Sequence, residues 1–291
     1  MEKVFLAIGF FDGVHKGHLR LLYKAMSEAR LINCKTAVFT FNDDFFRTRN
    51  IQTKLIDLSF EKEEKLKNIG IDYVYFASPT VSFLNMTVND FHNFLLTHFN
   101  LAGVVVGSDF RYGKNAQNSA NELADFLSLK NITTFIEPLF KINNAKVSSE
   151  TIRTLINNGK IEEANQLLYR KYSIDGTVIK GRGEGRKYGI KTANIEVSYE
   201  KVLPSPGVYL TKTYINNDQT MNSLTHIGPC PTFNYYKHTI ETFITNFNKD
   251  IYGKTIRIEF IKKIRENIKF DNKMELKKQI EEDLKHIINL N

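Results

Sequence analysis

The sequence has few cysteines, no long apolar run and fewer acidic than basic residues. Its cysteines, Cys34 and Cys230, lie far apart with no metal-type partner beside them. That excludes a disulfide framework and a cysteine-based zinc site, and it suits a reducing compartment. No stretch of about 18 consecutive apolar residues occurs, so no membrane-spanning helix is expected. The opening "MEKVFLAIGFF" carries an acidic residue at once, and its apolar run is too short for a secretory signal. The expectation is a soluble, cytoplasmic protein. There is no internal repeat, no low-complexity segment and no G-x-x-x-x-G-K-[ST] phosphate loop. An RNP-type aromatic signature is also missing. Lys plus Arg number 40 against 32 Asp plus Glu, a net charge of +8. A basic balance suits nucleic acid, acidic lipid or phosphorylated small molecules as partners. The lysines are scattered along the chain, so a general compositional bias explains the charge equally well.

At 291 residues the chain has room for two ordinary domains. In the first half, short apolar runs alternate with helical patterns. "KVFLAIG", "KTAVFTF", "DYVYFA", "GVVVG" and "TTFIEPLF" read as strands, and their continuity predicts burial on both faces. Leu19, Leu22, Met26 and Ala29 fall at helical spacing. "FEKEEKLKNIG" is a helix with a glycine stop, "TVNDFHNFLLTHF" opens with the capping-box pair Thr87 and Asp90, and "SANELADFLSL" is a further helix. Alternating strand and helix predicts an α/β domain with a parallel sheet. One helical segment, "SSETIRTLINNGKIEEANQLLYRKY", follows. Beyond Tyr172 the texture turns to β-type runs separated by Gly, Pro and Asn: "SIDGTVIKG", "GVYLTKTYI", "NSLTHIG", "HTIETFITNF" and "KTIRIEFIKKI". A closing helix carries Leu276, Ile280, Leu284 and Ile287 on one face. These features predict domains at 1–171 and 172–291, the second a small antiparallel barrel or sandwich with a terminal helix.

The densest stretch is "GFFDGVHKGH", directly after the first strand. In a doubly wound sheet, ligands lie outside the carboxyl ends of the strands. Gly9 and Gly13 let backbone approach a ligand closely, and Phe11 and Asp12 of the same turn are, like them, candidate ATP- or flavin-binding residues. The helix that follows offers its positive N-terminal end to phosphate. His15 and His18 share one face of its opening turn, where imidazoles can bond phosphate oxygens and steady developing charge.

"HKGH" resembles the H-x-G-H motif of the nucleotidylyltransferase superfamily. "GFFDGVHKGH" in full, with "FEKEEKLKNIGIDYVYF", "VVVGSDFRYGKNAQNS" and "VSSETIRTLINNGKIEEANQLL", is similar to the prokaryotic bifunctional riboflavin kinase/FAD synthetase family. The likeness runs through nearly the whole chain. It implies a Rossmann-like nucleotidyltransferase domain that moves the AMP of ATP onto FMN, forming FAD and releasing pyrophosphate. It further implies that His15 and His18 hold the ATP phosphates and that Gly107, Asp109 and Phe110 shape the nucleotide and flavin site. Ser148, Ser149 and Arg153 would form a second phosphate clamp, with Mg²⁺ assisting.

In the second half, "GTVIKGRGEGRKYGIKTANIEV" sets Gly181, Gly183, Gly185 and Gly189 among Arg182, Arg186 and Lys187. Such a loop can wrap an anion, form a solvated hairpin or bind RNA. "KTAN" resembles the P-T-A-N motif of riboflavin kinases, which implies Thr192 and Asn194 at a site for Mg²⁺ and ATP phosphates. Glu241 interrupts an apolar strand, with Ile240 and Thr242 on the opposite face. A carboxylate there is either solvated or kept for chemistry; the resemblance makes it the base for the riboflavin 5′-hydroxyl. "DIYG", Arg265 and Phe270 match family segments near the flavin. The implied substrates are ATP, riboflavin and FMN, with no nucleic-acid or membrane partner.

The sequence departs from the family pattern in four places. "TFNDDFFR" puts Asp43, Asp44 and Phe45 where Pro, His and Pro are usual, and Glu150 replaces a Thr. Ile190 and Lys191 replace Phe-Pro, and His226 replaces an Asn. The first two changes add negative charge near the expected nucleotide site, and loss of the proline frees φ. The alternatives are a protein that keeps one of the two activities, or an RNA-binding regulator built on these folds.

Overall fold

The computed structural model describes residues 2–181, 191–215, 219–230, 235–270 and 273–288. They form two compact units, Met1–Thr151 and Ile152–Asn291.

In the first unit the strands are β1 (Lys3–Ile8), β2 (Lys35–Phe41), β3 (Tyr73–Ala77), β4 (Asn100–Gly107) and β7 (Thr133–Glu137). They make one parallel sheet in the order β3-β2-β1-β4-β7. Two short hairpins, β5 (Arg111–Tyr112) with β6 (Asn118–Ser119) and β8 (Lys141–Ile142) with β9 (Ala145–Lys146), interrupt the later connections. The helices are α1 (Lys16–Leu31), α2 (Phe45–Thr48), α3 (Ser59–Ile69), α4 (Val81–Leu84), α5 (Val88–His98) and α6 (Ala120–Ser128).

Helices cover both faces of the central strands, so β1 is buried from Val4 to Ile8 and reads as a continuous apolar run. One core packs Leu6, Ile8, Phe39 and Val106 against Phe91 and Leu95. The other packs Phe5, Ala7 and Val105 against Leu22, Ala25 and Met26. The two edge strands depart from the expected two-faced burial: Tyr73 and Tyr75 of β3 are exposed, and β7 is half-buried. Local signals behave as the spacing predicts. Thr87 and Asp90 close a reciprocal capping box on α5, and Gly70 ends α3 at φ 106°.

The segment read as one helix is two, α7 (Ser149–Asn157) and α8 (Ile161–Leu168). Gly159 breaks it at φ +72°, where its N–H bonds the Ile156 carbonyl at 2.9 Å. A Cβ there would stand 2.5 Å from Ser205 Oγ. Gly159→Ala should therefore destabilise the second unit by about 1–3 kcal/mol, read as a lower melting temperature. Asn165 of α8 accepts from the Tyr172 N–H at 2.6 Å and donates to the Phe260 carbonyl at 2.9 Å. Both α8 and the larger part of α7 thus fall in the second compact unit, whose division lies between Thr151 and Ile152.

The second unit is a closed barrel in the order β10-β11-β14-β13-β12-β15, antiparallel throughout. Its strands are β10 (Tyr172–Ile179), β11 (Thr192–Glu196), β12 (Gly207–Ile215), β13 (Gln219–Cys230), β14 (Tyr235–Ile244) and β15 (Thr255–Arg265). Strand β11 carries most of the "KTAN" motif and is not among the strands that the apolar runs predict. A buried hydroxyl ladder satisfies itself across three strands: Thr213 to Ser223 at 2.8 Å, Ser223 with Thr211 at 2.8 Å, Thr211 with Thr225 and Thr225 with Thr242 at 2.9 Å. The terminal helix α9 (Lys273–Ile288) lays Leu284 and Ile287 on Leu210 and Leu224. Among the described residues, no helix is long and apolar enough to cross a membrane.

Candidate active sites

Strand order reverses between β1 and β4, and a crevice opens beyond the carboxyl ends of these two strands. A cavity of about 340 Å³ lies there, lined among others by Gly9, Phe11, His15, His18, Gly107, Asp109, Phe110, Ser148 and Ser149. His15 is the N-cap of α1: its Nδ1 accepts from the His18 backbone N–H at 3.3 Å. The two imidazoles stack with centroids 3.6 Å apart. Gly17 permits this, since a Cβ would stand 3.1 Å from the His15 ring. His18 Nδ1 is buried without a hydrogen-bond partner. That is an unsatisfied polar atom on a residue lining the cavity, suited to a ligand oxygen.

Burial, followed by His15 and Lys62, holds the His18 imidazole well below its ordinary value of 6.5, against the pull of Asp57. The unfolded chain therefore takes up the proton first as pH falls. The stability tied to a neutral His18 is full above about pH 6.5 and declines below it. The melting temperature of the first unit should fall between pH 7.5 and 5.5, and His18→Ala should lessen that fall.

Asp12 and Gly13 belong to the same turn but stay off the cavity wall. The Asp12 carboxylate accepts from the backbone N–H groups of Ile56 (2.9 Å) and Asp57 (3.1 Å). Its carbonyl accepts from Ser149 Oγ at 2.8 Å, tying the turn to the start of α7. Gly13, at φ +83°, packs on Ile56. Phe11 is fully buried and meets His18 edge-on at 5.2 Å. At the rim, Asp109 pairs with Lys146 at 2.8 Å, both well exposed. Ser148 Oγ accepts from the Thr151 N–H at 3.2 Å and so caps α7. Arg153 follows four residues after Ser149 on that helix, half-buried.

The added acidic residues have other partners. Asp43 accepts from Ser59 N–H at 2.6 Å and Ser59 Oγ at 2.7 Å, at the N-terminus of α3. Asp44 pairs with Arg47, and Glu150 is exposed on the first turn of α7. None of the three lines the cavity. Sequence reasoning missed Phe140 and Lys146, which reach the cavity from the β8–β9 hairpin without any motif.

In the barrel, register assembles the second site. Asn194 of β11 and His226 of β13 both stand directly opposite Glu241 of β14, one on each side. Directly opposed residues share a face. Thr192 Oγ1 donates to Glu241 Oε2 at 3.3 Å, and Thr239 Oγ1 reaches Glu241 Oε1 at 3.5 Å. Ile240 and Thr242 are buried on the opposite face, as alternation predicts, while Glu241 is half-buried. Gly181 lies against Asn194; a Cβ there would stand 2.1 Å from its Nδ2. Burial lowers the His226 pKa, Arg265 acting in the same sense and Glu241 and Asn267 against it.

A cavity of about 290 Å³ is lined by Lys191, Thr192, Phe247, Asp250 and Tyr252 among others; Thr192 lies on its wall, whereas Asn194, Glu241 and Gly181 do not. Arg265 lies apart from it and forks onto Asp283 of α9, with Nη2–Oδ2 2.7 Å and Nε–Oδ1 3.0 Å. Gly185, with Gly183, Arg182, Arg186, Lys187 and Ile190, lies outside the described residues. Among the described residues, no three His, Cys, Asp or Glu cluster as a metal cage.

A family model described as FAD synthetase matches residues 1–151, and one described as riboflavin kinase matches 168–290. A protein of Bacillus subtilis (strain 168) named bifunctional riboflavin kinase/FMN adenylyltransferase is 34% identical over 293 residues, covering 98% of this chain and 92% of its own. The protein of that name from Escherichia coli (strain K12) is 31% identical over 297 residues, covering 97% and 91%. A solved structure titled as a macrolide-efflux protein from Streptococcus pneumoniae superposes with a TM-score of 0.89 at 28% identity, covering 99% of this chain and 95% of that one.

Proposed function

The chain belongs to the bifunctional riboflavin kinase/FMN adenylyltransferase family, and from that premise we propose how its residues divide the two reactions. The enzyme phosphorylates riboflavin to FMN with ATP and adenylylates FMN to FAD. We assign adenylyl transfer to the first compact unit and the kinase to the unit that holds the barrel. The observation that carries this division is the pair of separate constellations, stacked His15 and His18 in one unit and the Thr192–Glu241 contact beside Asn194 in the other.

In the first site, the N-terminus of α1 and the two imidazoles receive the ATP phosphates. A neutral His18 can donate one ring N–H and accept at the other nitrogen. An oxygen of the FMN phosphate attacks the α-phosphorus in line; the bond to pyrophosphate breaks, and pyrophosphate leaves with the electron pair. No base is required, so positioning and charge stabilisation supply the acceleration. Ser148 and Ser149 complete the clamp, while Gly9, Gly107, Asp109 and Phe110 shape the walls. Asp12 and Gly13 serve the turn that carries the histidines.

In the second site, Glu241 takes the proton of the riboflavin 5′-hydroxyl as that oxygen attacks the γ-phosphorus and ADP departs. Thr192 orients the carboxylate. Thr192 and Asn194 offer hard, neutral oxygens without a carboxylate cage, a donor set that suits Mg²⁺ shared with substrate phosphates. When bound there, the ion neutralises phosphate charge. Gly181 lets Asn194 lie close against the backbone, and Arg265 holds α9 on the barrel near the flavin end. On this reading the enzyme works in the cytoplasm on small-molecule partners, without nucleic acid or membrane.

The test is to incubate the purified protein with ATP and Mg²⁺ plus either riboflavin or FMN, then separate the flavins by chromatography. FMN and then FAD are expected from riboflavin, and FAD from FMN. FAD from FMN alone would remove the kinase assignment; FMN without FAD would remove the adenylyl assignment.

A further inference from the structure

Lys62 lies on α3 and is only 1% exposed, with its ammonium inside the first unit. Its Nζ donates to the Phe10 carbonyl at 3.0 Å, the Phe41 carbonyl at 3.1 Å and Thr40 Oγ1 at 3.3 Å, all neutral oxygens. The Phe10 ring centroid is 4.7 Å away. Thr40 Oγ1 donates to the same Phe10 carbonyl at 2.7 Å. One ammonium thus ties the turn after β1 to the end of β2, directly behind Phe10, which lines the first cavity. Burying a charge costs several kcal/mol, and well-packed apolar groups commonly match or exceed buried ionic ones in stability. Fold stability alone is therefore a weak reason for a lysine here.

We propose that Lys62 is a positioning residue for adenylyl transfer: it pins the backbone of the His15/His18 turn through Phe10 and sets a fixed positive charge behind the cavity that receives the phosphates. The proposal rests on the adenylyl assignment of the first unit. The surrounding charges agree with it. Burial lowers the Lys62 pKa, and Asp12, Asp43 and Asp57 pull the other way, favouring the ammonium. Facing His18 are His15, Lys62 and Asp57; the first two push protons off the ring and the third draws them on. Removing the ammonium takes one donor from the Phe10 and Phe41 carbonyls, frees the turn to shift, and relieves the repulsion felt by a protonated His18.

Lys62→Met removes the charge at similar length, and Lys62→Gln keeps a polar donor should the Met variant fail to fold. In folded protein at the assay temperature, FAD formation should lose roughly 10- to 100-fold in kcat/KM for ATP, the scale of a misplaced reacting group. FMN formation by the same molecules should not change. The His18 imidazole, assigned by NMR against His18→Ala, should titrate at a higher pH than in wild type. A lower melting temperature accompanied by unchanged FAD kinetics and an unmoved His18 midpoint would overturn the proposal and leave Lys62 a structural residue. Wild-type protein that makes no FAD would instead overturn the adenylyl assignment; the His18 midpoint would still report whether the ammonium acts on the turn.

Discussion

His18→Ala should slow FAD formation from FMN and ATP by about 100- to 1,000-fold and leave riboflavin phosphorylation intact. The reason lies in the unpartnered Nδ1 and the stacked ring, which sit on the wall of the switch-point cavity. An imidazole that meets charge growing on a leaving pyrophosphate is worth on the order of 100- to 1,000-fold in rate, as for other preorganised donors. The substitution spares the local fold. His15 Nδ1 accepts from the backbone N–H of residue 18, which alanine retains. Alanine removes only the ring stack on His15 and the edge-on packing against Phe11. Each is worth about 0.5–1.5 kcal/mol, too little to unfold a domain with two extensive apolar cores. Flavin chromatography after incubation with FMN and ATP reads the result. Undiminished FAD formation in folded variant would remove the histidines from the chemistry.

Glu241→Gln should produce the reverse pattern. Glutamine keeps the length, and its carbonyl can still accept from Thr192 Oγ1, which lies 3.3 Å from the wild-type carboxylate. It cannot take the proton of a hydroxyl nucleophile. A positioned general base contributes typically 100- to 10,000-fold, so FMN formation should drop by about that factor. FAD formation from supplied FMN should continue, because Glu241 belongs to the barrel unit and the histidines to the other. A Gln variant that phosphorylates riboflavin at the wild-type rate would show that the carboxylate is a solvated strand residue, the reading that alternation alone suggests.

How far the sequence displays all this depends on the physical origin of each feature. Continuous apolar runs betray β1, β2 and β4, since strands buried on both faces need no alternation. The Thr87–Asp90 pair and Gly70 mark helix ends because capping is a local, backbone-scale requirement. Strand β11 is hidden because its five residues follow a glycine-rich, basic stretch and pair with partners distant in sequence. The break at Gly159 is a single backbone conformation inside a pattern that stays helical on both sides. Glu241 shows how sites split between levels. Its position within an apolar strand is plain to read, yet its neighbours Thr192, Asn194 and His226 depend on register between strands that lie far apart along the chain in places. Lys62 is harder still. In "FEKEEKLK" it looks like one more charge on a solvated helix face, and only the tertiary fold turns it inward. Asp43 runs the other way: in the sequence its charge crowds the nucleotide site, while the fold places it at the N-terminus of α3.

The most direct test of the two-reaction account follows the phosphorus atoms of ATP. Purified protein would be given riboflavin and Mg²⁺ with ATP labelled with ³²P at either the α or the γ position, and the flavins separated. The account predicts that γ-label enters FMN and is carried into FAD, whereas α-label enters FAD and never FMN. Label from the α position in FMN, or FAD that carries neither label, would contradict it.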